Sequence, residues 1–483
     1  MKGKGNVIRF LLNDKLIELD FSLNTKHKPT TTVLNYLRSL PFHKGVKEGC
    51  AEGDCGACTV VVAEDIEGKL FYKTIDSCLV FLPMLHGKQL ITVEHLADCD
   101  RLHPVQQAMV DRNGSQCGYC TPGIVMSLFG LYKNHRDPST DRIEDALTGN
   151  LCRCTGYRPV VDAAVVACMG SGQDKFAVSE SDVAARLIEL KSDKSPVRLI
   201  TEQQKYLKPL TLADALHFRK EHPDAVVVSG ATDIALRQTK KKELLKEIID
   251  ISDVQELKYF REEQDFFQIG AGLSIESLRQ AVDGKVPALK HMLDIFGSLQ
   301  IRNLATLGGN IGSASPIGDT LPLLIASNAQ VEIKSTNVAR RCNIEDFIIG
   351  YRTVDLFPDE LITAVILPKP SHERIIRSYK VSRRKDLDIS TVSAGFSLLS
   401  ENGTVKDIRL VFGGMAAQPI RALKTERFLL GKSWTGNTVL EAMEILHNEF
   451  TPLSDARANA GYRNLVARNL LLKFFEESKG QPS

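Results

Sequence analysis

The reactive side chains of this sequence are concentrated in its cysteines. The chain has 483 residues and 11 cysteines, and eight of them fall into two tight groups. The first group is Cys50, Cys55, Cys58 and Cys78, spaced C-x4-C-x2-C with a more distant fourth. The second is Cys117, Cys120, Cys152 and Cys154, spaced C-x2-C and C-x-C. Grouping of this kind points to metal binding. Cys99, Cys168 and Cys342 stand alone and are expected to be small apolar core residues. A reducing compartment is expected, where disulfides are disfavoured.

The segment Glu48-Gly49-Cys50-Ala51-Glu52-Gly53-Asp54-Cys55-Gly56-Ala57-Cys58 puts three cysteines on one loop. A [2Fe–2S] cluster takes four thiolates, two on each iron, and this spacing is the plant-type ferredoxin pattern. Gly49, Gly53 and Gly56 are expected to adopt positive φ and bring backbone N–H groups near the sulfurs. Zinc sites usually pair C-x2-C with a second C-x2-C, which this group lacks. Alternation over 7–12 and 16–20, a helix over 32–40 capped by Thr32, and apolar runs at 59–63 and 70–75 predict a small β-grasp domain.

Around the second group the pattern is helical. Helices are predicted over 103–110, from Thr121-Pro122 onward, over 141–148 up to Gly149, and from Pro159. All four cysteines then lie at helix ends, where two loops can face each other. Taken alone, this group also suits zinc or a redox dithiol. Beside the first group, a second [2Fe–2S] cluster is the more specific reading.

After a polar stretch at 170–196, expected to be a surface linker, the chemistry changes. No G-x-G-x-x-G or Walker A sequence is present, so a Rossmann fold is unsupported. Residues 226–234 read as a buried strand entering a loop of small and hydroxyl residues. Such a loop can be a nest for a pyrophosphate or an ordinary glycine turn. Residues 302–319 are dense in glycine and small polar residues, as close backbone approach to a flat ligand would require.

The cysteine segments, with Cys117-Gly118-Tyr119-Cys120-Thr121-Pro122-Gly123 and Leu151-Cys152-Arg153-Cys154-Thr155-Gly156-Tyr157, resemble the iron–sulfur region of the molybdenum hydroxylases. That family includes xanthine dehydrogenase, aldehyde oxidase and the carbon monoxide dehydrogenases. The two glycine-rich segments, with Gly350-Tyr351-Arg352, Ser378-Tyr379-Lys380 and Val411-Phe412-Gly413-Gly414-Met415-Ala416, resemble its flavin domains.

The resemblance implies an α+β multidomain chain. Its parts would be a ferredoxin-like domain at 1–85, a helical [2Fe–2S] domain at 86–172 and a linker at 173–195. A vanillyl-alcohol-oxidase-like FAD domain at 196–370 and a C-terminal α/β domain at 371–483 would follow. It implies one [2Fe–2S] cluster on each cysteine group, the second nearer molybdenum and the first nearer flavin. Val227, Val228, Ser229, Gly230, Ala231, Thr232, Asp233 and Ile234 would hold the FAD pyrophosphate and ribose. Phe296, Thr306, Asp319, Ile362 and Lys380 would line the remainder, with Lys380 near the isoalloxazine and Tyr351 near the nicotinamide entry. Ser229 departs from the glycine or alanine expected at its position.

The implied role is an electron relay to NAD, with no hydroxylation residue on this chain. The implied partner is a molybdopterin-binding large subunit in a dimer of heterodimers. Its expected substrate is a purine, hypoxanthine or xanthine, and aldehydes or N-heterocycles are the alternative. In the resembled family the choice between NAD and O₂ turns on charges around the flavin, and Arg383, Arg384, Lys385, Asp386 and Asp388 are a candidate loop for it. The net charge of +2 and the absence of a long apolar segment argue for a cytoplasmic protein binding neither nucleic acid nor membrane. The run Lys240-Lys241-Lys242 is expected to be a solvated helix face.

Overall fold

The computed structural model describes residues 6–22, 26–98, 100–170 and 173–479; Cys99 lies outside them. These residues form a mixed α/β chain of two compact units, 1–254 with 297–305, and 255–296 with 306–483.

The first unit opens with a five-stranded sheet in the order β2-β1-β5-β3-β4. Its strands are β1 (Val7–Leu12), β2 (Lys15–Asp20), β3 (Thr59–Ile66), β4 (Lys69–Asp76) and β5 (Gln89–Ile91). Successive strand residues face opposite sides. Ile8, Phe10, Val60 and Val62 therefore join one core with the helix Val33–Ser39. Leu11, Val61 and Ala63 join another with the helices Pro104–Asp111, Thr121–Asn134, Thr140–Leu147 and Arg158–Cys168. Burial on both faces explains why β3 reads as an unbroken apolar run. Thr32 caps its helix as expected, its hydroxyl accepting from Asn35 N at 3.2 Å. The next long helix begins at Thr121, with Cys120 as its N-cap.

The expected linker is partly helical, at Lys175–Val178 and Glu180–Leu190. Val183, Ala184 and Leu187 share one helical stripe and enter the second core. Asp174 fixes the start of this segment. It caps Ala177 N at 2.7 Å and sits buried between His103 at 3.1 Å and Lys133 at 3.0 Å.

A second sheet, β6 (Val197–Ile200), β7 (Lys205–Lys208), β8 (Val226–Val228) and β9 (Glu247–Asp250), has the order β6-β7-β9-β8. Leu199, Tyr206, Val228 and Ile248 share the core of Phe10. The first compact unit therefore runs on through this sheet to residue 254.

A partly buried ion chain runs alongside. Lys88 meets Glu64 at 3.1 Å and Asp253 at 3.5 Å, and Lys208 meets Asp253 at 3.0 Å and Asp250 at 2.8 Å. His86 lies beside it, its Nδ1 accepting from Arg9 N at 3.1 Å. Burial, with the charge of Lys208, holds His86 down to about 4, so the native ring is neutral. Its native value lies below its unfolded one, so its stabilisation is present above about pH 6.5. That stabilisation is lost as pH falls toward 4. Chemical denaturation of the wild type between pH 7 and 4 should show a fall of about 2 kcal/mol that His86→Gln removes. Parallel pH curves for the two proteins would contradict this.

In the second unit, β10 (Phe260–Glu262), β11 (Phe266–Gly270), β12 (Gln330–Lys334), β13 (Ala339–Asn343) and β16 (Leu361–Pro368) form an antiparallel sheet. Its order is β10-β11-β16-β12-β13, and a hairpin of β14 (Ile348–Gly350) and β15 (Thr353–Val354) lies outside it. A four-stranded sheet of β17 (Arg374–Val381), β18 (Val392–Glu401), β19 (Thr404–Gly413) and β20 (Ile420–Arg421) follows. It packs Phe396 and Phe412 against Phe474 of the helix Ala460–Ser478. Among the described residues no helix is long and apolar enough to cross a membrane.

Candidate functional site

The loop before β3 carries Cys50, Cys55 and Cys58, and Cys78 follows just beyond the end of β4. The thiols meet in pairs, Cys50 with Cys55 and Cys58 with Cys78. Among the described residues no three His, Cys, Asp or Glu side chains converge on one point. Two thiols per metal is what a two-iron cluster asks for.

Backbone N–H groups of Glu52 and Asp54 point at Cys50 Sγ from 3.4 and 3.3 Å. The hydrogen bond from the Cys55 thiol, helped by these amides against burial, pulls Cys50 down to about 5. The loop is thus prepared for a thiolate. Positive φ occurs at Gly53, Gly56 and Ala51, but not at Gly49. Gly49 is needed for space, because a Cβ there would stand 2.8 Å from Cys55 Sγ. Asp76, fully buried, accepts weakly from the Cys58 thiol at 3.6 Å.

In the second group, Cys117 and Cys120 sit between the helices Pro104–Asp111 and Thr121–Asn134. Cys152 and Cys154 sit between Thr140–Leu147 and Arg158–Cys168. Cys120 pairs with Cys152, and Cys117 with Cys154. Burial and the hydrogen bond with Cys152 push Cys120 up to about 12. Cys152 is held below its ordinary value, since the Thr155 hydroxyl, 3.1 Å from its Sγ, and nearby amides outweigh burial. Tyr157, left-handed at φ 67°, accepts Cys152 N on its hydroxyl at 2.8 Å. Cys117 and Cys154 are exposed, whereas Cys58 and Cys78 are buried.

The two cysteine loops touch each other. Leu151 N donates to Cys55 O at 3.0 Å. Asn150, buried, donates to Gly56 O at 3.1 Å and Thr59 Oγ1 at 3.2 Å, and accepts from Ser127 at 2.6 Å and Gln300 at 3.0 Å. A Cβ on Gly123 would lie 2.1 Å from Gly56 O, so the approach requires glycine. Asn150→Ala strands several buried polar groups. It should cost about 2–3 kcal/mol, visible as a lower unfolding midpoint, with Asn150→Leu no better. An unchanged midpoint would contradict this.

The remaining expected residues are divided between the units. Val227 and Val228 end β8, and the loop through Ile234 leads into the helix Ala235–Thr239 of the first unit. Ala231 is left-handed at φ 63°, and Gly230 packs so closely on Leu304 that a Cβ would stand 1.7 Å from its carbonyl oxygen. Ser229 Oγ is buried without a partner. An orphaned hydroxyl in a loop of small residues suits a phosphate oxygen.

In the second unit, Thr306 caps Leu307–Gly312 through Gly309 N at 3.1 Å. Asp319 is paired with Lys380 at 2.9 Å and accepts from the Ser390 hydroxyl. Lys380 also donates to the carbonyls of Ile295 and Asp386, both at 2.9 Å. Phe296 is nearly buried, Ile362 lies on β16, and Tyr351 is exposed between β14 and β15. In the charged loop, Arg384 pairs with Asp388 and Arg383 donates to Ala456 O at 3.1 Å. Asn150, Tyr157 and Lys240 were not singled out as site residues from sequence; Tyr157 stood only inside the quoted T-G-Y motif.

Three domain families match the chain. A [2Fe–2S] binding domain covers 92–165 and the FAD binding domain in molybdopterin dehydrogenase covers 201–370. The CO dehydrogenase flavoprotein C-terminal domain covers 377–478. Xanthine dehydrogenase of Emericella nidulans is 33% identical over 99% of this chain and 39% of its own length. Aldehyde oxidase 3 of Mus musculus is 30% identical over 95% of this chain and 39% of its own. The chain thus spans about two fifths of these relatives. A carbon monoxide dehydrogenase structure from Hydrogenophaga pseudoflava superposes with a TM-score of 0.55 at 24% identity. It covers 59% of this chain and 100% of the matched one, a likeness of fold.

Proposed function

We propose that this chain, which carries the [2Fe–2S] and flavin domains of the molybdenum hydroxylases, is the electron-transfer part of a xanthine dehydrogenase. The activity is that of EC 1.17.1.4, the oxidation of hypoxanthine and xanthine to urate. The observation that carries the relay is the arrangement of eight thiols in four pairs, with the loop of Cys55 in direct contact with the loop before Cys152.

When bound, the two clusters supply one-electron exchange, and FAD supplies the two-electron exchange with NAD. The residues of this chain position and tune. Four cysteines on each loop set fix the irons, and the amides of Glu52 and Asp54 hold charge at Cys50. Asn150 keeps the two loops in register. The orphaned hydroxyl of Ser229 is assigned to the FAD pyrophosphate, and the Lys380–Asp319 pair to the flavin ring.

The partner is a molybdopterin-binding large subunit in a dimer of heterodimers. Its docking face is the exposed edge with Cys117, Cys154, Tyr119 and Leu151. The second reading, an aldehyde-oxidising complex, is favoured by the match to aldehyde oxidase 3. Assaying the co-purified complex with xanthine and with aldehydes decides between them. NAD-linked xanthine turnover supports the first, and aldehyde turnover without it overturns the first in favour of the second.

A further inference from the structure

We propose that Lys240 raises the reduction potential of the cluster on Cys50, Cys55, Cys58 and Cys78 by holding a positive charge on the backbone of one of its ligands. This rests on the relay reading above. Lys240 closes the helix that follows the loop 227–234, so it stands at the C-terminal end of the flavin-loop segment. It is exposed, as expected of this lysine run, but it lies at the helix end and has two partners. Its Nζ donates to the carbonyl of Cys50 at 3.0 Å and meets Glu52 Oε2 at 3.1 Å. Its neighbour Lys242 folds back instead onto Thr239 O at 2.8 Å.

The ion pair is about half exposed, at 45% and 41%, and such pairs contribute little to folding. Its position matters more than its stability. Glu52, whose amide points at Cys50 Sγ, is held by the same ammonium that caps the Cys50 carbonyl. Charges of both signs lie beside this loop, with Glu48, Lys28 and Lys242 lining one pocket with Ala51 and Cys78. Carboxylates disfavour added negative charge, and a nearby cation favours it. Reduction adds one electron to the cluster and no atom. Lys240 therefore stabilises the reduced state more than the oxidised one, which pulls electrons toward the flavin side of the relay. Hydrogen bonds and charges around ligands are an established means of setting such potentials.

The test is an anaerobic potentiometric titration of the complete complex with dithionite as electron donor, each cluster followed by its own paramagnetic signal. In Lys240→Met the equilibrium constant for reducing the first cluster should fall about tenfold, a downward shift of about 59 mV. The second cluster should not move. Lys240→Arg should stay near the parent, and Glu52→Gln should shift upward. No shift in Lys240→Met, or equal shifts in both clusters, overturns the role of Lys240 while leaving the relay intact. Absence of both signals from the parent protein overturns the relay itself. If Lys240→Met loses iron, Lys240→Gln is titrated in its place: a downward shift of the first cluster alone supports the proposal, and no shift or an upward one overturns it.

Discussion

Cys58→Ser should leave the chain with half its iron. Cys58 is buried and paired with Cys78, so its loss removes one of two ligands from one iron of the first cluster. Serine is a poor thiolate substitute, and changes to outer partners alone already cost 10- to 100-fold in metal affinity. Iron should fall from about four to about two per chain, with the signal of the second cluster retained. Electron delivery from the partner to the flavin should drop at least about 100-fold, while the partner's own dye-linked turnover persists. Loss of all iron would mean that the variant had unfolded. Cys55→Ser then provides the check, because Cys55 is only half-buried and its replacement disturbs the core less. Full iron with full electron delivery in either variant would contradict the ligand assignment.

Lys380→Met should be nearly as damaging, for a different reason. Its ammonium is almost fully buried against Asp319 and two carbonyls, and methionine keeps the length while removing the charge. Breaking a buried ion pair by removing one partner typically costs 3–5 kcal/mol, because the other charge is stranded. The unfolding midpoint should drop accordingly, and bound FAD should fall with it. Adding Asp319→Asn removes the stranded charge, so the double variant should regain most of the stability. It should not regain flavin, if the cation is what the ring requires. Recovery of full flavin content in the double variant would assign Lys380 to folding alone.

The parts of this molecule legible in the sequence are those written locally. Cys50, Cys55 and Cys58 lie within one loop, so their spacing alone announces the ligand set. The alternation along β1 and the cap at Thr32 are likewise short-range. What was hidden depends on partners distant in sequence. Asn150 is an ordinary residue until the fold brings Gly56, Ser127 and Gln300 to it.

The conformation of the cysteine loop was only partly readable. Ala51 takes a left-handed conformation that its side chain disfavours, while Gly49 serves clearance and not backbone freedom. The stretch after residue 173 looked like a linker because polar residues dominate its composition. The buried stripe of Val183, Ala184 and Leu187 nevertheless makes it helical. The contact of Lys240 was hidden for the same reason as those of Asn150: its partner at Cys50 lies 190 positions away.

The most direct test of the central claim is metal analysis and electron paramagnetic resonance on anaerobically purified, dithionite-reduced complex. About four irons per chain and two distinguishable signals, each integrating to about one spin, are the predicted result. Zinc in place of iron, or a reduced sample without paramagnetic clusters, would contradict it.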